Sequence, residues 1–250
     1  MRSKLIANFP VLFPREVRVL KSTKDLVVAG LTRMHLWPSW ITPNRLSIAR
    51  IIAVIPVLAL MFAGIHKEAL IIFAVGSVSD LFDGPLARLR DGLHRPSKRL
   101  KSALEGVSGL GSYLDSIADK TMVIGVCALA ICSIIFSREY NVAYQISDDH
   151  TTQEIYTWAH LGLLSATILL EAWSAGKRTE DYINFREGLC GIERLQANDN
   201  GKYKATLQFI ATGGYVLATE WSLLVGLLLL AGSLTLAVKS LWTKYHPRTA

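Results

Sequence analysis

The sequence predicts an all-α integral membrane protein with six transmembrane helices, preceded by a cytoplasmic amphipathic helix at the membrane interface. Hydrophobic residues make up 51% of the 250 residues, and the mean hydropathy is positive. Several apolar segments approach the roughly 20 residues that a membrane-spanning helix needs. Basic residues are also distributed very unevenly between the connections, as in multi-pass membrane proteins.

Residues 1–41 are predicted to be an interfacial N-terminal segment. Within them, residues 12–35 place apolar side chains on one helical face, which is typical of a helix lying on the cytoplasmic leaflet. Trp37 and Trp40 then supply aromatic anchors. The segment is rich in Arg and Lys and lacks a small-residue cleavage pattern, so a removable signal peptide is not expected.

Residues 42–250 are predicted to form one membrane domain of six helices, without internal repeats. Four apolar segments come close to full spanning length, namely 46–65, 111–137, 154–175 and 222–242. Two further segments, 68–88 and 205–219, are shorter or interrupted by polar residues. The count of six spans includes both.

The charge distribution predicts the orientation of these helices. The N-terminal segment, the second and fourth connections and the tail hold 23 Lys and Arg residues, whereas the other three connections hold only Lys67 and Arg138. By the positive-inside rule, both termini and the basic connections are cytoplasmic. The net charge of +7 therefore reflects membrane topology, and no nucleic-acid partner is expected. Three scattered cysteines give neither a disulfide framework nor a metal-ligand pair.

Two predicted helices carry acidic residues on one face. At 100° per residue, Asp80, Asp83, Gly84, Ala87 and Arg88 fall within an arc of about 140°. On the next helix, Gly111, Asp115 and Asp119 follow each other at intervals of four and share a face. An ionised aspartate in the membrane costs about 2.5–3.5 kcal/mol, so four need compensation. Arg88 and Lys120 could neutralise two at most, which favours one or two divalent cations with carboxylate ligands.

The two segments together resemble the motif of the CDP-alcohol phosphatidyltransferase family, DxxDGxxAR followed by GxxxDxxxD. All eight fixed letters are present between Asp80 and Asp119, and six helices agree with what the family implies. Among family members, the chain is most similar to the phosphatidylglycerophosphate synthases. The spacer differs: residues 89–110 separate the two halves here, whereas the family has about eight residues. We expect an enlarged, basic cytoplasmic loop at this position. Because long loops add little closure entropy, the two helices could still pair as in the family.

The resemblance implies a role for each residue of the motif. Asp80, Asp83, Asp115 and Asp119 would hold two Mg²⁺ or Mn²⁺ ions, and Asp119 would also deprotonate the acceptor alcohol. By the same comparison, Gly84, Ala87 and Arg88 would contact the CDP moiety of CDP-diacylglycerol, the phosphatidyl donor. Arg88 would offer a bidentate fork to phosphate.

Four further residues are candidate ligand contacts. Asn44, in the Thr-Pro-Asn-Arg-Leu segment, is similar to residues that touch the nucleotide in relatives, although a helix cap and membrane anchor explain it equally well. Arg50 lies too far into its helix to reach the interface easily, which favours a phosphate contact. Lys202 and Lys204 resemble the GKxKTxxQ segment of phosphatidylglycerophosphate synthases, with Ala205 in place of the first Thr. Positive-inside bias alone would also place lysines there.

The acceptor stays open between several small alcohols. The resemblance and the basic loop favour sn-glycerol 3-phosphate, while inositol phosphate, serine, or a CDP-aminoalcohol enzyme acting on diacylglycerol are alternatives. A cation channel or transporter, and a non-catalytic lipid-binding scaffold, are rivals of another class. The family also implies a homodimer, for which Gly213 and Gly214 offer close helix packing. Glu171, an acid within the fourth span, is left unassigned.

Overall fold

The computed structural model describes residues 43–93, 98–136, 150–191 and 199–245. All regular secondary structure in these ranges is helical. Six helices follow one another: α1 (Pro43–Phe62), α2 (His66–Leu93), α3 (Lys98–Phe136), α4 (His150–Arg186), α5 (Asp199–Leu217) and α6 (Glu220–Tyr245). The interfacial helix predicted within residues 1–41 lies outside the described residues.

Four of the helices are long and apolar enough to cross a membrane. The qualifying segments are Asn44–Phe62, Leu110–Phe136, His150–Arg186 and Glu220–Trp242. The predictions of an all-helical fold and of several membrane spans are therefore confirmed for the described part of the chain. α2 and α5 coincide with the two weaker predicted spans, but the first carries charged residues in its second half and the second begins with Asp199, Lys202 and Lys204. The count of six spans stays a prediction.

The outer surface of the described helices is apolar. Large hydrophobic side chains on α1, α4 and α6 are strongly exposed, among them Ile55 (70%), Trp158 (71%) and Leu228 (72%). In water such a surface would be unstable, whereas hydrocarbon makes contact with it at no cost. The exposed apolar side chains therefore support a multi-pass membrane protein.

The connection between the two halves of the motif corrects the expectation of a long loop. α2 continues to Leu93 and α3 begins at Lys98, so most of residues 89–110 are helical. The reason lies in the composition: from Lys98 onward Leu, Lys, Ala and Glu favour helix. The extra residues lengthen α2 and α3. α4 likewise extends through the first part of the fourth connection, to Arg186.

Glycine-based caps end α1 and α4, at Gly64 and Gly188. Beyond α1, the Ile65 N–H donates to the Leu60 carbonyl (2.8 Å) and the Gly64 N–H to the Met61 carbonyl (3.0 Å). This pairing is a Schellman motif, in which a residue with positive φ closes the helix, and Gly64 has φ 73°. The short turn brings α2 back along α1.

α3 lies at the centre of the bundle. It packs against α1, α4 and α5, while α1 also packs against α2 and α5 against α6. Val57, Met122, Leu164, Tyr215 and Leu223 are almost completely buried in the core between these helices. The central position of α3 matters because it carries Asp115 and Asp119.

The paired glycines of α5 serve packing inside the chain. A methyl group on Gly213 would contact Phe73 of α2 at 3.5 Å, and one on Gly214 would lie 2.5 Å from the Ser222 carbonyl oxygen of α6. Since both glycines face other helices of the same chain, they give no support to a dimer. The homodimer stays a prediction from the resemblance.

Candidate active site

Arg50 of α1 joins the two acids of α3. One guanidinium nitrogen donates to Asp119 Oδ1 at 2.7 Å, and another forms an ion pair with Asp115. The Arg50 side chain is only 3% exposed, whereas Asp115 and Asp119 are 39% and 25% exposed. A guanidinium presents its donors in a planar fork, so it can bridge two carboxylates one helical turn apart. Arg50 therefore compensates a pair of acids whose charges would otherwise be costly in a membrane.

The start of the acidic segment of α2 lies close to this ion pair. A methyl group on Gly76 would lie 3.4 Å from Met122 of α3 and 3.9 Å from the Arg50 side chain. Asp80 follows Gly76 by four residues in the same helix, and Asp83 follows by seven. The side chains between Asp80 and Gly109 lie outside the described part of the structure. The backbone thus brings the two halves of the motif toward Arg50.

Asn44 lies at the beginning of the second half of the motif. A methyl group on Gly111 would be only 2.9 Å from Asn44 Oδ1. Any side chain at residue 111 would therefore push Asn44 away, which explains the glycine at this position. Gly111 precedes Asp115 by one turn, so the structure places Asn44 beside the acids of α3.

A cavity of about 180 Å³ opens beside Asp115 and Asp119. It is bounded by the middle of α3, the first half of α5, the second half of α4 and the last part of α6. Its wall contains both acidic and basic side chains. The lining residues are Ser112, Asp115, Ser116, Asp119, Lys120, Val123, Glu171, Ser174, Arg178, Gly201, Lys204, Ala205, Gln208, Phe209 and Ser240.

Glu171 of α4 is bound on two sides by α5. Gln208 Nε2 donates to Glu171 Oε1 at 2.9 Å, and Lys204 forms an ion pair with the same oxygen. Lys204 and Gln208 are four residues apart, so both extend from one face of α5. Glu171 and Gln208 are 2% and 3% exposed. The group is a buried, charge-compensated contact between two helices.

Two more basic side chains line the cavity. The Lys120 ammonium donates to Ser116 Oγ at 2.8 Å, which directs it along α3. Arg178 lies two turns after Glu171 on α4. Near Arg178, α3 and α4 are joined by stacked rings of Tyr113 and Tyr182, whose centroids are 4.6 Å apart. This stacking fixes the end of α4 against the site.

The acids of α3 suit a hard divalent cation. Their carboxylates present oxygen donors, which Mg²⁺ and Mn²⁺ prefer. The two side chains lie one turn apart on a central helix, and both are partly exposed at the cavity. Among the described side chains, no cluster of three acidic, His or Cys residues forms a metal site. A complete ligand set therefore depends on Asp80 and Asp83, and metal binding stays a proposal.

The structure brings together a subset of the predicted site residues. Asn44, Arg50, Asp115 and Asp119 lie in one place, and Lys204 lies across the same cavity. For six others only the backbone is described: Asp80, Asp83, Gly84, Ala87 and Arg88 on α2, and Lys202 on α5.

Three lining residues received no site role from the sequence: Glu171, which was noted as an unassigned acid, Gln208, which was noted only as part of the GKxKTxxQ segment, and Arg178. Two sequence intervals were available as signals. Gln208 is four residues from Lys204, and Arg178 is seven residues from Glu171, so each pair shares a helical face.

Comparisons with known proteins agree with the motif. The family model described as CDP-alcohol phosphatidyltransferase matches residues 40–96, which contain Asn44, Arg50 and the first half of the motif. Over 91 residues the chain is 36% identical to the CDP-diacylglycerol–glycerol-3-phosphate 3-phosphatidyltransferase of Cereibacter sphaeroides, covering 34% of each chain. The chain thus matches about a third of the length of that relative. No solved structure matches. The predicted resemblance is confirmed: residues 40–96 match the CDP-alcohol phosphatidyltransferase family model, and a relative with that activity in its name is similar over 91 residues.

Proposed function

We propose that this chain is an integral membrane enzyme that transfers a phosphatidyl group from CDP-diacylglycerol to sn-glycerol 3-phosphate and releases CMP. The observation that carries the proposal is the shared cavity. Asp115 and Asp119 line it together with Lys120, Arg178 and Lys204. A reaction centre and a binding place for an anion would thus lie side by side. The name of the Cereibacter sphaeroides relative supports the same acceptor.

Asp80, Asp83, Asp115 and Asp119 would hold two Mg²⁺ or Mn²⁺ ions. When bound, such ions neutralise the attacking and leaving oxygens of an in-line displacement at phosphorus. Asn44, Gly84, Ala87 and Arg88 would bind the CDP moiety, which is consistent with the position of Asn44 next to Gly111. Arg50 supplies positive charge to the carboxylates of α3.

The chemical step follows from the position of Asp119. Its carboxylate would accept the proton of the acceptor hydroxyl, since an acid partly exposed at the cavity can approach a bound alcohol. The alcohol oxygen would then form a bond to the lipid-side phosphorus. The bond from that phosphorus to the CMP oxygen would break, and CMP would leave with the electron pair. The product keeps the phosphate of the acceptor.

The charges of the cavity favour a phosphorylated acceptor. With Asp115 and Asp119 assigned to cations, three basic side chains, Lys120, Arg178 and Lys204, remain against one acid, Glu171. The surplus of positive charge complements a phosphate group, whereas serine or diacylglycerol would leave it uncompensated. Inositol phosphate satisfies the same charge and stays the main alternative acceptor. Lys202 would add a further positive charge, as the resemblance implies.

A cation channel or transporter fits these observations less well. Arg50 is buried against Asp115 and Asp119, and its fixed positive charge would repel a passing cation. The additional cations on the cavity wall would act in the same direction. They have a purpose in an enzyme that binds anionic substrates.

CMP release from the purified protein tests the proposal. The protein in detergent is given CDP-diacylglycerol, Mn²⁺ and one acceptor at a time: glycerol 3-phosphate, inositol phosphate, serine or none. We expect CMP release with glycerol 3-phosphate and only background without an acceptor. CMP release with inositol phosphate but not with glycerol 3-phosphate would show that inositol phosphate is the acceptor. No CMP with any acceptor would reject the enzymatic function.

A further inference from the structure

Glu171 has no role in the chemical step proposed above, although an acid inside a membrane helix is expensive. Its carboxylate is 2% exposed and binds both Lys204 and Gln208 of α5. An acid whose oxygen is already shared by an ammonium and an amide is poorly suited to hold a metal or to accept a proton. Asp115 and Asp119, by contrast, are much more exposed. Glu171 therefore acts through its neighbours.

Those neighbours face the cavity. Lys204 and Gln208 line the same space as Asp119, and the Lys204 side chain keeps 12% exposure. A lysine has a flexible four-carbon stem and three N–H donors. With one donor directed at Glu171, the ammonium is fixed at the wall of the cavity that a ligand would enter.

We infer that Glu171 is a positioning residue that fixes the Lys204 ammonium and the Gln208 amide at the cavity wall for the phosphate of the acceptor. This inference rests on the proposed function. A preformed arrangement lowers the entropy lost when the anion binds.

The inference predicts an effect opposite in sign to that of simple charge balance. Removing the negative charge of Glu171 makes the cavity more positive, so long-range electrostatics alone would tighten anion binding. If Glu171 positions Lys204, the same change weakens binding, because the ammonium loses its fixed place. Glu171→Gln is suitable, since it keeps the size of the side chain and removes the charge.

The test measures KM for glycerol 3-phosphate and for CDP-diacylglycerol separately in E171Q, E171D and the double variant E171Q/K204M. Glu154→Gln, an exposed acid on the same helix, is the matched control. We expect E171Q to raise KM for glycerol 3-phosphate at least tenfold and to change KM for CDP-diacylglycerol less than twofold. E171D should recover part of the loss. Adding K204M to E171Q should cost little more, since Lys204 is already released.

Three results would overturn the inference: an unchanged or lower KM for glycerol 3-phosphate in E171Q, an equal rise of both KM values, or additive losses in the double variant. Calorimetry of inorganic phosphate binding to the wild type and to E171Q distinguishes failure of the inference from failure of the proposed function. If the wild type releases no CMP but binds phosphate more tightly than E171Q, the enzymatic function fails and the positioning role stands. If the wild type binds no phosphate, the inference is rejected.

Discussion

Arg50 shows how a single side chain links the charges of this site. It lies in an apolar helix and is almost fully buried. Its guanidinium binds both acids of the motif on α3, Asp115 and Asp119. Removing one partner of a buried ion pair leaves the other charges uncompensated, which usually costs more than the pair contributes. Arg50 is therefore part of the folded framework of the site, and its contact with a phosphate stays a prediction.

Replacement of Arg50 should destabilise the protein. Arg50→Lys keeps the charge but loses the fork that reaches both Asp115 and Asp119, and Arg50→Met removes the charge as well. We expect Arg50→Met to lower the free energy of unfolding by roughly 1–3 kcal/mol, with a smaller effect for Arg50→Lys. Thermal unfolding in detergent measures this, with the exposed Lys67→Met as control. Equal midpoints for Arg50→Met and the control would contradict the role.

Asp119 should affect turnover without comparable loss of donor binding. Asp119→Asn keeps the shape of the side chain but cannot accept a proton at neutral pH. We expect CMP release to fall by about 10²–10⁴-fold, the range of general-base catalysis, while CDP-diacylglycerol binding is largely kept. Equilibrium binding of the labelled donor lipid provides the comparison. Equal loss of binding and turnover would refute Asp119 as the base.

At the scale of the elements, α1 and α3 approach closely where the motif begins. Asn44 at the start of α1 and Gly111 at the start of the α3 span leave no space for a methyl group. Farther along, Gly125 of α3 packs against Val54 and Leu58 of α1. Close contact along the pair keeps Arg50 within reach of both acids. Helix packing thus explains Gly111, the glycine in the second half of the motif.

Gly111→Ala tests this contact. The new methyl group would force Asn44 to move by several tenths of an ångström, so we expect KM for CDP-diacylglycerol to rise several-fold with a smaller change in KM for the acceptor. Gly162→Ala on α4, where a methyl group meets nothing within 4 Å, is the matched control. Unchanged kinetics in Gly111→Ala would argue against a role of Asn44 in donor binding.

At the scale of the whole molecule, the site forms at one end of the bundle. The middle of α3 and the first half of α5 meet the second half of α4 and the last part of α6 around the cavity. The same helix ends adjoin the basic connections that the positive-inside rule places in the cytoplasm. We therefore propose that the cavity faces the cytoplasm, where water-soluble acceptors are available.

Cysteine labelling tests the orientation. In a variant without Cys127, Cys132 and Cys190, a single cysteine replaces either Lys67, at the turn between α1 and α2, or Lys177, near the cavity. A membrane-impermeant maleimide should label Lys67→Cys in intact cells and Lys177→Cys only after permeabilisation. The reverse pattern would place the site on the other side of the membrane.

The sequence was informative where local periodicity determines structure. Intervals of four residues correctly indicated that Asp115 and Asp119 share a face, and apolar length located the helices. Contacts between distant residues were beyond this reasoning. Arg50 lies 65 and 69 residues from its partners, and Glu171 lies 37 residues from Gln208. Such pairs depend on how helices pack, which a helical period does not encode. The prediction of a loop at residues 89–110 was wrong, because the helical propensity of this segment outweighed its glycines and serines.

The most direct measurement follows labelled glycerol 3-phosphate into lipid. Purified protein is incubated with CDP-diacylglycerol, Mn²⁺ and the labelled acceptor, and the chloroform-soluble label is compared with the CMP released. The proposed function predicts equal molar amounts of lipid label and CMP, both lower by about 10²–10⁴-fold in Asp119→Asn. CMP release without label in the lipid phase would mean that water is the acceptor, and would contradict phosphatidyl transfer to glycerol 3-phosphate.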